Sequence, residues 1–128
     1  ILIGKNDYED SLLISGWEQI DGESRWANAK ESTLRLVAKN NNFSKIIIEV
    51  MAFKDPEELS VYVNDILIGT INVKASWKNY SLPVNFPLSA GIHKVKFSYS
   101  HGYRPMDVIP GNLDARTLYM NFKEIKLE

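Results

Sequence analysis

Apolar and polar side chains alternate along most of this chain, and that period of two is the feature that most restricts its fold. Leu34, Leu36 and Ala38 fall on one face of such a segment, whereas Arg35 and Lys39 fall on the other. Side chains of a strand point alternately to its two faces, so this period indicates strands with one apolar face. No segment shows the sustained i, i+3, i+4, i+7 apolar pattern of an amphipathic helix. The chain is therefore expected to be all-β.

The middle of the chain contains a central strand and a hairpin. Segment 45–53 (KIIIEVMAF) is apolar on both faces, which predicts a central strand that is covered on both sides. Segments 59–63 and 66–73 flank Asn64-Asp65, and these two residues tolerate a positive φ. A tight two-residue turn is therefore predicted between the two strands.

Further strands are predicted towards the end of the chain. Segments 77–82 and 91–99 are each expected to be a strand, the second with one apolar face made of His93, Val95, Phe97 and Tyr99. The last strand starts with one apolar face, but its phase slips, so that its apolar positions are Leu118, Met120, Phe122, Ile125 and Leu127. Because the side-chain period of a strand is two, this slip requires a bulge or bend near Lys123-Glu124.

Roughly eight short strands separated by turn residues describe an antiparallel β-sandwich, and we expect the jelly-roll arrangement. A helical turn is predicted only at 55–58, where Asp55 would cap it and Pro56 would take the first helical position. The longest irregular stretch, 104–116, is rich in Pro, Gly, Asn and Asp. Stretches of this length in a compact domain are usually functional or held by specific contacts.

Composition bounds the class of protein. With 128 residues, 45% of them hydrophobic, the chain is long enough to bury a core, and we expect one β-sandwich domain over residues 1–128. Because it begins at Ile1 rather than Met, we expect a segment of a longer protein. A net charge of -1 offers no field to attract nucleic acid, and no apolar run is long enough to span a membrane. The absence of Cys excludes disulfides and thiolate chemistry.

Two tryptophans bracket a charged segment, 16–26, and a second charged motif, Asp114-Ala115-Arg116, lies far along the chain. In a functional reading, charged groups bind sugar hydroxyls while a ring stacks on the sugar, and the candidate residues are Trp17, Glu23, Arg25, Tyr103, Asp114 and Arg116. In a structural reading, which we favour, Arg25 or Arg116 pairs with Asp114 or Glu23 inside the end of the sandwich. That pair would tie the irregular stretch 104–116 onto segment 17–26.

The aromatic residues allow more than one role. Trp26 is expected in the core, whereas Trp17 fits either the core or a binding surface. A second aromatic group on or beside the hairpin sheet is expected to consist of Trp77, Tyr80 and Tyr62. Trp77 and Tyr80 should point to opposite faces of their strand, so one of them should be exposed. An exposed ring there suits stacking on a glycan or docking onto another domain.

Enzyme activity is not expected. Glu23 and Asp114 are carboxylates of the kind that glycoside hydrolysis needs, but no motif fixes two such groups at a catalytic separation. His93 and His101 lack the spacing of a metal-binding pair. Neither a Gly-x-Ser-x-Gly motif nor a phosphate-binding glycine pattern is present in the sequence.

A series of short motifs keeps the order seen in one recurrent module: Gly16-Trp17, Glu23, Arg25-Trp26, Leu34, Leu36, Val61, Val63-Asn64, Trp77, Tyr80, Leu88-Ser89-Ala90-Gly91, Pro105, Asp114-Ala115-Arg116 and Leu118. Through the order of these motifs, the chain resembles the C-terminal β-sandwich of many bacterial and archaeal membrane glycosyltransferases and phosphoglycerol-transferase-like proteins. Segment 88–93 (LSAGIH) also resembles the turn before a strand in galactose-binding-like jelly rolls and several carbohydrate-binding modules.

The resemblance implies a galactose-binding-like jelly roll that serves as a non-catalytic accessory module of a surface-glycan protein. It implies an extracytoplasmic location within a larger membrane-associated or cell-surface protein. The implied partner is a carbohydrate or the parent enzyme domain, with carbohydrate binding ahead of a purely structural or docking role. No nucleic acid and no direct membrane insertion of this segment are expected. No cofactor is expected. Jelly rolls of this type often hold a structural calcium ion, so the presence of such an ion in this domain is left open.

Overall fold

The computed structural model describes residues 12–39 and 43–128, which form nine strands and one short helix. In chain order these are β1 (Leu13–Ser15), β2 (Arg25–Trp26), β3 (Glu31–Ala38), β4 (Lys45–Ala52), β5 (Glu57–Val63), β6 (Ile66–Val73), β7 (Lys78–Pro83), β8 (Gly91–Tyr99), α1 (Pro105–Val108) and β9 (Met120–Leu127). The single domain expected over residues 1–128 includes residues 1–11 and 40–42, which lie outside the described part of the chain.

The strands form two antiparallel sheets. One has five strands in the order β1-β3-β8-β5-β6, and the other has four in the order β2-β9-β4-β7. Strands distant in the chain are neighbours in space, since β3 pairs with β8 and β4 pairs with β9. The central position predicted for the 45–53 strand is confirmed, because β4 lies between β9 and β7. The antiparallel jelly-roll sandwich predicted from the alternation is confirmed as well.

The core lies between the inner faces of the two sheets. Burial alternates along β4 and β3, as the period of two requires. The large apolar side chains with less than 2% exposure come from both sheets and, in the case of Leu88, from the connection between β7 and β8: Phe97, Phe122, Leu34, Ile46, Ile48, Leu59, Leu88, Met120, Ile125 and Val50. Burial of one such side chain contributes about 1.5–3 kcal/mol. This layer therefore supplies most of the stability of the fold.

The predicted hairpin is present. Strand β5 ends at Val63 and β6 begins at Ile66, so Asn64 and Asp65 are the two turn residues. Their φ angles are 49° and 70°, the left-handed values that a primed turn requires. Asn and Asp tolerate this region better than most residues do, which explains why the sequence turns here.

The predicted bulge in the last strand is also present. In β9, Phe122 pairs with Val50 and Glu124 pairs with Glu49, so Lys123 is the extra residue. The bulge moves the buried positions of β9 from even to odd numbers, which explains the phase slip in the sequence. It also places Lys123 beside the surface that is described below.

The helical turn predicted at 55–58 is wrong. Residues 53–56 form a bend, and Glu57 and Glu58 are the first two residues of β5. The helix of the described chain, α1, instead lies within the irregular stretch 104–116.

Candidate functional site

An ion network joins two of the predicted charged segments at the surface. The Nη2 atom of Arg116 donates to Asp114 Oδ2 at 2.6 Å, and its Nη1 atom donates to Glu18 Oε1 at 3.0 Å. Asn28 donates to the other oxygen of Glu18 at 2.7 Å. The Arg116 side chain holds the pKa of Asp114 at about 2. The hydrogen bond from Asn28, assisted by Arg116, holds the pKa of Glu18 below its usual value.

This network ties the irregular stretch 104–116 onto segment 17–26, as the structural reading predicted. The acids involved are Asp114 and Glu18, and the contact with Glu18 was not foreseen. The predicted position inside the sandwich is wrong, because half of the Arg116 side chain is exposed. Glu23 lies exposed in the turn between Asp21 and Ser24 and makes no ion pair within the described residues.

Two of the candidate site residues face inward. Trp17 packs edge-on against Phe122 and Phe97, with ring centroids 5.3 Å and 6.4 Å apart, and its Nε1 atom donates to the Thr33 carbonyl at 2.9 Å. Arg25 is only 7% exposed, and its Nη1 atom donates to the Glu18 carbonyl at 2.8 Å. Of the two roles open to Trp17, the structure shows packing against the core.

Gly16 makes this position of Trp17 compatible with the sheet. Its φ is 84°, and an added Cβ would lie 2.3 Å from the Glu31 carbonyl oxygen. Only glycine fits so close to β3 with this backbone angle. The Gly16-Trp17 motif is thus explained by packing of the chain onto β3.

A row of four aromatic side chains lies beside the outer face of the four-stranded sheet, the face away from the core. We call Trp26, Phe53, Tyr103 and His101 the aromatic strip. Trp26 contacts Phe53 with ring centroids 5.5 Å apart, and Phe53 stacks on Tyr103 at 5.8 Å with an interplanar angle of 18°. His101 stacks on Tyr103 at 6.4 Å. His101 is exposed and the other three are half-buried, so the strip is open to solvent on one side.

Sheet register explains why Trp26 faces outward. Trp26 in β2 pairs with Asn121 in β9, and Asn121 pairs with Met51 in β4. Directly paired residues share a face, and Met51 lies between the inward-facing Val50 and Ala52. The expectation that Trp26 belongs to the core is therefore wrong. Phe53 follows Ala52, so the alternation of the central strand was the sequence signal that could have identified this surface.

Asn121 lies below this surface with one unsatisfied atom. Its side chain is 6% exposed, and its Oδ1 atom has no hydrogen-bond partner within the described part of the protein. A buried amide oxygen without a donor is costly. Asn121 sits between Trp26 and Met51 in the register, so it adds a polar group beneath an otherwise apolar row.

Trp77 belongs to the opposite edge of the same sheet. It directly precedes β7, whose first residue, Lys78, pairs with Val50, so Trp77 is next to Met51 in the register. The Lys123 ammonium lies 4.3 Å from the centroid of the Trp77 ring. The bulge in β9 therefore supplies the cation that contacts Trp77.

The second aromatic group predicted from the sequence is not formed. Tyr62 belongs to the five-stranded sheet, where the Lys96 ammonium lies 4.5 Å from its ring centroid. Tyr80 belongs to the four-stranded sheet and packs against the core. Trp77 is half-buried and directly precedes the same strand. These three residues were expected together because the sequence does not show which sheet each strand joins.

The candidate site residues thus separate into groups. Tyr103 belongs to the aromatic strip, whereas Asp114 and Arg116 belong to the surface ion network. No ring contact, hydrogen bond or ion pair of residues 12–39 and 43–128 joins Tyr103 to Trp17 or Glu23. Sequence reasoning did not identify Phe53 or His101 as site residues.

Neither a metal site nor a membrane span is found in the described residues. No group of three or more His, Cys, Asp or Glu side chains there is arranged to hold a metal ion. The only helix of that region, α1, is far too short to cross a bilayer, and no long apolar helix accompanies it. The structural calcium ion considered above stays an open expectation.

Several solved structures share this fold. A family two carbohydrate esterase from Clostridium thermocellum in complex with cellohexaose is similar over 91% of this chain, with a TM-score of 0.58 and 12% identity. A mutant of a family 29 carbohydrate-binding module is similar over 90% of this chain and 80% of its own, with a TM-score of 0.55 and 12% identity. A family 35 module from an environmental isolate covers 100% of this chain and 81% of its own, with a TM-score of 0.50 and 19% identity.

At these identities the likeness shows a shared β-sandwich fold. The chain spans 30% of the length of the esterase chain that it matches. No protein-family profile matches the sequence, and no curated protein matches it significantly.

Proposed function

We propose that this domain is a non-catalytic carbohydrate-binding module and that its site is the aromatic strip. The observation that carries this proposal is the chain of contacting, partly exposed rings from Trp26 through Phe53 and Tyr103 to His101. Each sugar ring has an apolar face, and aromatic rings offer flat apolar surface with little conformational entropy to lose. A row of such rings suits a glycan of several units better than a single sugar.

The sheet beneath the strip supports an extended ligand. Trp26 and Trp77 are aligned across β2, β9, β4 and β7. Adjacent strands lie roughly 4.8 Å apart, so these two indoles are separated by roughly 14 Å across the sheet. Trp26 lies in β2, Phe53 directly follows β4, and Tyr103 is held by its bridge to Leu118. These attachments reduce the ordering that binding would require.

The solved structures with this fold point in the same direction. Modules described as carbohydrate-binding, from families 6, 29 and 35, have this sandwich, and one of them is in complex with cellobiose. Other structures with the fold are an esterase and a glycoside hydrolase, of which this chain covers 30% and 20%. Because the chain corresponds to only a small part of each of these enzymes, it suits the role of a module attached to a larger carbohydrate-active protein.

The wider context is part of the proposal. The module would belong to a membrane glycosyltransferase or phosphoglycerol-transferase-like protein and lie on the extracytoplasmic side, where surface glycans are found. This rests on the order of the sequence motifs. Identifying the segments that flank this one in the full-length protein tests it directly, because a membrane-embedded catalytic domain must then precede it.

The site is tested by NMR titration of ¹⁵N-labelled protein with hexasaccharides of glucose, galactose and mannose. The amides of Trp26, Phe53 and Tyr103 should shift first. Trp26→Ala should weaken binding about tenfold, because a stacked ring pair is worth about 0.5–1.5 kcal/mol beyond its buried area. Tyr62→Ala is the matched control, since Tyr62 is a half-buried aromatic residue of the other sheet, and it should leave binding unchanged.

The titration also tests the residues predicted from the sequence. Shifts that begin at Glu23, Asp114 and Arg116 would move the site to the ion network. Arg25 is buried and Trp17 is half-buried against the core, which speaks against direct contact of either with a sugar. Saturating glycan that shifts neither group of amides would contradict the binding function itself.

A docking role is the second candidate, and one observation favours it. The stretch around α1 exposes four apolar side chains to solvent, namely Met106, Val108, Ile109 and Leu113. Leu113 is the most exposed of the four at 89%, and a group of exposed apolar side chains is typical of a surface that contacts another protein. If no glycan binds, Leu113→Asp should reduce association of the module with the parent domain and leave its fold unchanged.

A further inference from the structure

We propose that the Tyr103 end of the aromatic strip recognises a negatively charged substituent on the glycan, which is a carboxylate or a phosphate ester on one sugar. This inference rests on the proposed function and names the class of ligand that the site would take. It is carried by the distribution of charge along the strip and the adjoining outer face.

Lys54 places an available positive charge at this end. Its ammonium lies 6.0 Å from the centroid of the Tyr103 ring. Lys54 is exposed, and it makes no ion pair with another residue of 12–39 and 43–128. An ammonium has three donors and no acceptor, so an anionic oxygen beside the ring is its best partner.

The other cations near Lys54 are already paired. Lys74 lies 3.9 Å from the Asp55 carboxylate, and Arg104 donates to Asp107 at 2.8 Å and 3.1 Å. Of these three cations near Tyr103, Lys54 is therefore the one without an acid partner among the described side chains. A ligand anion would thus meet Lys54 without having to displace an existing carboxylate.

The opposite end of the outer face carries charges of both signs. Glu49 and Glu124 are direct cross-strand partners, and Glu49 lies two residues before Met51 on the same face of β4. Like charges directly opposite each other repel, and both would also repel an anionic sugar. Lys123 lies near these acids but contacts Trp77. Lys45 and Lys126 lie on this face as well, and Lys126 pairs with Glu128 at 3.6 Å. The contrast with the unpaired Lys54 therefore favours an anionic group at the Tyr103 end.

The test compares matched hexasaccharides that differ only in the charge of one terminal sugar: neutral, uronic acid and sugar phosphate. Calorimetry on the intact domain should show about two- to fivefold tighter binding of the anionic forms at low salt, the range expected for one exposed ion pair. At an ionic strength of about 1 M, where the screening length is about 3 Å, this preference should vanish. The uronate and phosphate arms show which anion the site prefers.

Lys54→Met tests the residue, because it keeps an apolar side chain of similar length and removes the charge. The preference for anionic forms should disappear while the affinity for the neutral hexasaccharide stays unchanged. Lys39→Met is the matched control, since Lys39 is an exposed lysine that directly follows β3 of the other sheet and makes no ion pair within residues 12–39 and 43–128. It should keep the preference of the wild type.

The outcomes separate this inference from the proposed function. Equal binding of neutral and anionic hexasaccharides by the wild type, or a preference that survives in Lys54→Met, overturns the inference and leaves the carbohydrate site intact. Loss of binding to both forms in Trp26→Ala supports the site. No binding of any form overturns both.

Discussion

Arg116 and Glu18 are 98 residues apart in the chain, yet Arg116 Nη1 donates to Glu18 Oε1 at 3.0 Å. Arg116 also grips Asp114, two residues before it, through Nε and Nη2. One guanidinium therefore fixes the end of the irregular stretch 104–116 and joins it to the segment before β2. The Tyr103–Leu118 bridge closes the same stretch at its base, where the aromatic strip begins.

We predict that Arg116→Gln loosens this stretch without unfolding the domain. The pair is at the surface, and exposed pairs of this kind contribute little to global stability. Hydrogen exchange should therefore be faster at the amides of 104–116, while the amides of β4 and β9 keep their protection. Arg35→Gln is the control, because Arg35 is an exposed arginine of β3 outside the network. Unchanged exchange in Arg116→Gln would contradict the tethering role.

Arg25→Ala should be far more damaging than any surface arginine substitution. The side chain is 7% exposed and supplies a donor to the Glu18 carbonyl, so its loss removes buried packing and leaves an acceptor unpaired. We expect a loss of about 1–3 kcal/mol in the free energy of unfolding. Arg35→Ala should stay within about 0.5 kcal/mol of the wild type. Equal urea midpoints for the two variants would show that Arg25 has no structural role.

Much of the fold could be predicted because burial imposes a period of two on each strand. The alternation located β3, the hairpin of β5 and β6, and the inward residues of β8. The phase slip located the bulge at Lys123. What the period could not supply was the partner of each strand. Tyr62 and Trp77 were consequently placed in one group, although they belong to different sheets.

The site was harder to predict, because its residues are brought together by pairings between distant strands. Trp26 faces outward only because β2 pairs with β9 at Asn121, and no local pattern reveals that register. Phe53 and Tyr103 are 50 positions apart and meet by stacking. The charged motifs were predicted as candidate site residues, but their side-chain contacts show that they join the irregular stretch 104–116 to segment 17–26.

The turn between β5 and β6 supplies a prediction about Asn64. Its Oδ1 accepts from the Lys94 amide at 3.0 Å, and its Nδ2 donates to Nδ1 of His93 at 2.8 Å. The Nε2 atom of His93 donates to the Ser89 carbonyl at 2.6 Å, so Asn64 holds the turn to β8 through a buried ring. Asn64→Ala should cost about 1–3 kcal/mol, because the His93 nitrogen is left without a partner.

Asp65→Gly is the control for Asn64→Ala, because it changes the other turn residue. Glycine adopts a φ of 70° without strain, and the exposed contact of Asp65 with Lys94 is a surface ion pair. Asp65→Gly should therefore melt within a few degrees of the wild type. A large loss in Asp65→Gly, or none in Asn64→Ala, would contradict this account of the turn.

The last prediction concerns Glu57, the first residue of β5, whose side chain points into the sandwich. It is 1% exposed, and neither carboxyl oxygen has a hydrogen-bond partner within the described part of the chain. Burial raises the pKa of Glu57 from 4.5 to about 8. The folded domain therefore holds this proton at neutral pH, whereas the unfolded chain releases it.

The contribution of Glu57 to the free energy of unfolding should accordingly be highest below pH 4.5, fall as the pH rises from 4.5 to about 8, and level off above that. Each unit of raised pKa corresponds to about 1.4 kcal/mol. Glu57→Gln should remove this decline and be more stable than the wild type above about pH 8. Glu58→Gln, the exposed neighbour, should keep the wild-type profile.

Subtracting the Glu57→Gln curve from that of the wild type isolates this one group, because all other titrations are common to both proteins. Parallel curves in urea denaturation between about pH 5 and 9 would mean that the carboxyl group is hydrated in solution.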